Sequence, residues 1–190
     1  MHIVHCAKYL PQLKVIGRRL EFIGCDDYID FPEGYHNDML QHLQEPAVLG
    51  LQQLNLAGLA GDCLPNENVH FPQLEVLILW APTNNMLNLC DRFESVSTLA
   101  IYHGRLFEDI MPVLRRVGQR LHSLVLFKVD KRVSLSEVLL NCPRLKCLVL
   151  EKSKFNQAPE RWPAASFLCM EEVRFLSMKL PPGFIKQVNT

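Results

Sequence analysis

The side chains that could do chemistry are scattered along the chain. His2, His5 and Cys6 have the residue types of a metal site, but no second cluster at zinc-finger spacing completes them, so they read as an ordinary chain end. Cys142 follows an apolar run and precedes Pro143, and Cys147 lies in the next strand-like stretch. A nucleophilic thiol needs an activating histidine, and the spacing supplies none, so both read as small buried packing residues. His103 and His122 fall in adjacent units without a carboxylate and a serine or cysteine to make a triad. Arg115, Arg116, Arg120, Lys128, Lys131 and Arg132 form a basic cluster that reads as a solvated helix face. The chain contains no glycine-rich phosphate loop, no H-E-x-x-H and no G-x-S-x-G. The expectation is a protein without catalytic residues, metal or cofactor, and not an enzyme.

The informative pattern is instead a repeat. Val117 to Leu150 holds two copies of L-x-x-L-x-L, at Leu121, Leu124, Leu126 and at Leu145, Leu148, Leu150. The alternating leucines of each copy point to one side of a short strand. Between the copies, Ser134 and Glu137 make a capping box ahead of Val138, Leu139 and Leu140, which predicts a short helix. Aligning every similar phrase predicts seven strands, near 20–25, 51–56, 74–79, 96–101, 121–126, 145–150 and 170–176, with starting positions 22 to 31 residues apart. The last strand has a rival register, Val173/Leu176/Met178.

Residues 10–20 echo 111–121 at a constant offset of 101, about four units. The echo predicts helix over Leu10–Ile16 and over Phe107–Val117, each ended by a glycine, Gly17 or Gly118. Helices are also predicted at His36–Leu43 and Asn85–Arg92, and irregular chain at 61–71 and 158–165. The fold class that follows is α/β. It is a leucine-rich-repeat solenoid of about seven repeats, a horseshoe with a concave parallel β-sheet and helices on the convex side, in one domain over residues 1–190.

Such a sheet shows its alternate residues on the concave side as ladders about 4.8 Å apart. The column after each last core leucine reads Asp26, Ala57, Trp80, Tyr102, Phe127, Glu151. The next column, Gly24, Asn55, Ile78, Ala100, Val125, Val149, is apolar from the third strand onward. A third, Glu21, Gln52, Glu75, Ser97, His122, Lys146, drifts from acidic to basic. An aromatic, apolar centre with charged margins is the composition of a protein-binding surface. Trp80, Tyr102 and Phe127 are therefore the candidate anchors of a partner, with Glu75, His122 and Lys146 orienting it. The competing reading is that the three rings simply pack on one another, leaving polar tips wet.

The totals narrow the class. Apolar residues are 48% and charged residues 21% of 190, which predicts a folded, soluble chain. Twenty basic residues against twenty acidic ones give zero formal charge, which argues against nucleic acid as a partner. No apolar run approaches membrane-spanning length, so no membrane partner is expected. Seven cysteines without a C-x-x-C pair, and a start without signal-peptide design, predict a cytoplasmic or nuclear protein.

The phrases 117–126 and 139–150, and more weakly 71–79, resemble the repeat half of F-box/leucine-rich-repeat proteins; C-P-x-L-x-x-L-x-L at Cys142–Leu150 is typical of that family's units. The resemblance implies that the repeats hold a protein substrate for an SCF-type ubiquitin ligase. The alternative is an intracellular scaffold or signalling protein with no ubiquitin role. No F-box occurs among these residues, so SCF components are expected partners only if one lies upstream. The asparagine ladder of many leucine-rich repeats is also missing: the equivalent positions are Tyr28, Leu59, Pro82, Gly104, Val129, Ser153 and Met178.

Overall fold

Leucines at alternate positions shape the strands. In β3 (Val76–Trp80), β4 (Thr98–Tyr102), β5 (Ser123–Phe127) and β6 (Cys147–Glu151), the second and fourth residues are Leu77/Leu79, Leu99/Ile101, Leu124/Leu126 and Leu148/Leu150. All eight are 0–1% exposed, and the two-residue period of a strand puts them on one face. The structure is a computed structural model that describes residues 15–16, 50–57, 70–82, 90–104, 107–129, 133–154 and 169–178.

These strands, with β1 (Val15–Ile16), β2 (Gln53–Ala57) and β7 (Glu172–Leu176), form one sheet. Its order is the order of the sequence, and every pairing is parallel. The architecture is α/β with an all-parallel sheet. Leu54, Leu77, Leu99, Leu124, Leu148 and Val173 pair in succession. β7 takes the register Met170/Val173/Phe175, since Leu150 lies opposite Phe175.

The strands begin about two residues later than the phrases suggest. The first apolar residue of each phrase lies in a turn: the amides of Leu74, Val96, Leu121 and Leu145 donate to the carbonyls of Phe71, Phe93, Gly118 and Cys142, three residues earlier. A further difference lies at the beginning of the chain. Val15 and Ile16, expected in a helix, form β1 and pair with Gln53 and Leu54. Two consecutive β-branched residues favour extended chain, whereas the echo aligned them with Arg116 and Val117 of a true helix. The strand expected at 20–25, the helix at 36–43 and the loop at 158–165 lie outside the described residues.

Between β4 and β5, α1 (Phe107–Val117) carries Pro112 inside it, on the exposed side. Ile110, Val113, Leu114 and Val117 recur at helical spacing, and all are 0–2% exposed. Gly118 follows at once. A Cβ there would meet the Asn141 carbonyl and come within 2.9 Å of the Cys142 sulfur, so close approach to the next unit is what demands glycine. Between β5 and β6, α2 (Leu135–Asn141) starts where the capping box predicts: the Glu137 amide donates to Ser134 Oγ at 3.4 Å. Of the helix expected at 85–92, the described part is a 3₁₀ turn at Cys90–Arg92.

The helices' inner faces and the strand leucines share one core, which Phe71 and Phe93 join in edge-to-face contact at 5.1 Å. Arg120 ties units together, its guanidinium donating to the carbonyls of Cys90 (3.3 Å) and Phe93 (2.6 Å).

Candidate functional site

The opposite face of the sheet carries the remaining alternate residues, and the pairing fixes which lie side by side. Ile78, Ala100, Val125 and Val149 form the central column. They are 0–4% exposed and make a second apolar cluster, packed against Val76, Trp80, Tyr102 and Cys147. The column expected as the open apolar centre of a binding surface is thus closed. Side chains repeating at about 4.8 Å touch their lateral neighbours, and the Trp80 and Tyr102 rings pack against the column on its C-terminal side.

Trp80, Tyr102, Phe127 and Glu151 are register partners at the C-terminal rim of the strands. Trp80 and Tyr102 stack with centroids 4.3 Å apart and planes 13° from parallel. Tyr102 and Phe127 follow at 5.4 Å, tilted 41°. Trp80 and Tyr102 are partly exposed, whereas Phe127 is only 8% exposed. Burial, with the Glu151 carboxylate nearby, pushes the Tyr102 phenol up to about 12. The rings therefore pack on one another, and Trp80 and Tyr102 still reach the surface.

The residue after each of β3 to β7 adds a row that residue types alone did not suggest. Ala81, His103, Lys128, Lys152 and Ser177 all have positive φ, between 43° and 55°. Their sharp turn lets the amides of Ala81, His103, Lys128 and Lys152 donate to the last strand carbonyl of the next unit, at Tyr102, Phe127, Glu151 and Leu176 (2.7–3.0 Å). The turn also folds side chains back over the rings. Lys128 Nζ lies 5.3 Å and Lys152 Nζ 5.5 Å from the Phe127 centroid, within cation–π range. His103 contacts both Trp80 (6.2 Å) and Phe127 (5.4 Å). The sequence signal for this row was its constant place one step beyond the aromatic column.

Glu75, His122 and Lys146 lie at the other rim, about 16 Å from the rings at 3.3 Å per residue. Each carbonyl of Gln52, Glu75, Ser97, His122 and Lys146 accepts two consecutive amides from the next unit, which locks the rim's backbone. The side chains of Glu75, His122 and Lys146 are exposed. Ser97 separates Glu75 from His122, and Lys146 pairs with Glu171 at 2.8 Å. That carboxylate holds the Lys146 ammonium above its ordinary range. The fold therefore aligns the three candidate anchors with one another, and the three candidate orienting charges with one another, at opposite ends of the strands.

Ser153, 5% exposed, accepts the Val129 amide on Oγ at 3.1 Å and donates to the Glu151 carbonyl at 3.1 Å.

The cysteines are placed by packing. Cys142 is fully buried, and burial pushes its thiol up to about 12; a thiol so protonated is a poor nucleophile. Cys147 Sγ lies 3.6 Å from Glu172 Oε2, and burial first, with that carboxylate, raises its pKa. Glu172 is itself bonded by Arg174 Nε at 2.6 Å. His103 and His122 lie at opposite rims, and His2, His5 and Cys6 lie outside the described residues. Among the described residues no three metal-ligating side chains converge, and no helix is long and apolar enough to cross a membrane. No protein-family model, curated protein or solved structure matches the chain.

Proposed function

We propose that the chain is a leucine-rich-repeat solenoid of about seven repeats that works as a non-catalytic protein-recognition module, binding a partner on the sheet face opposite its helices. The observation that carries this is the Trp80–Tyr102 stack: large, rigid, partly exposed rings in register at the rim of the strands, beside the second apolar cluster. Aromatic side chains of this kind supply contact area at low entropic cost, as at interface hot spots. In the finer version of the reading, resting on the family resemblance, the partner is a protein substrate of an SCF-type ubiquitin ligase in the cytoplasm or nucleus. Trp80 and Tyr102 anchor it, Phe127 flanks Tyr102 in the same row, and Glu75, His122 and Lys146 set its orientation.

Photo-crosslinking in cells tests the face. A benzophenone amino acid in place of Trp80 should trap a discrete protein adduct, and the same group at Leu140, 69% exposed on α2, should not. Equal adducts at both positions, or none at position 80, would refute the reading. Co-purification of cullin and its adaptor with the adduct would support the ubiquitin-ligase version, and their absence would favour a scaffold.

A further inference from the structure

We draw no further inference here: the strongest candidate, the apolar end of the sheet at β7, where Val173 and Phe175 are only partly buried and Leu176 is 40% exposed, carries none, because nothing in the structure shows what covers it.

Discussion

Ser153 offers the sharpest test of how consecutive units are joined. Its hydroxyl accepts the Val129 amide and donates to the Glu151 carbonyl, both at 3.1 Å, and both Ser153 and Val129 are buried, at 5% and 2% exposed. Ser153→Ala removes the acceptor without adding bulk. No water replaces it at a site this enclosed, so the Val129 N–H is left unsatisfied, at a cost of about 1–3 kcal/mol. The lost packing of one hydroxyl is small beside that. In urea the midpoint should fall with the slope unchanged, since the surface exposed on unfolding is the same. For a chain of this size the melting temperature should drop by about 2–4 °C for each kcal/mol. Hydrogen exchange gives the local readout: the Val129 amide should exchange roughly five- to 150-fold faster, the same free energy expressed as an opening equilibrium. Ser153→Thr, which keeps the hydroxyl, should retain most of that amide's protection. A loss below about 0.5 kcal/mol, or unchanged protection at Val129 in the alanine variant, would refute the claim that this hydroxyl is what satisfies the Val129 amide.

Three further outcomes are expected. At Ala81, φ 43°, a Cβ in the left-handed region costs about 1–2 kcal/mol, and glycine forfeits about 0.4–1 kcal/mol through the unfolded chain. Ala81→Gly should therefore stabilise by about 0.5 kcal/mol and Ala81→Val should destabilise, both read from urea midpoints. Gly118→Ala drives a methyl into the Asn141 carbonyl and the Cys142 sulfur and should cost about 1–3 kcal/mol as overpacking; an unchanged midpoint would contradict the close approach of α1 and α2. The Cys142 thiol, with an ordinary value of 9.0 raised to about 12 by burial, keeps its proton in the folded state while the unfolded thiol ionises. Its contribution is complete below pH 9 and is lost as pH rises toward about 12, so stability should fall over that window, and less steeply in Cys142→Ala.

Much of this was legible in the residues themselves, because a strand's side-chain period is two and a helix's is 3.6. Leucines spaced L-x-x-L-x-L needed a shared core, which put Leu77, Leu99, Leu124 and Leu148 opposite one another. With the register set, Trp80, Tyr102 and Phe127 had to line up as well. Ser134 announced α2 by a hydrogen bond that spans three residues. What only the tertiary structure decided were contacts between residues some 24 positions apart, where no local period speaks. The closure of Ile78, Ala100, Val125 and Val149 depends on lateral neighbours from other units. The backbone turn that folds Lys128 and Lys152 over Phe127 arises from amides seeking the next strand's carbonyls. Val15 and Ile16 became a strand because β2 offered partners, which a weak internal echo of a helix could not reveal. Periodicity determined the ladder; packing between its rungs decided which side chains stay within a partner's reach.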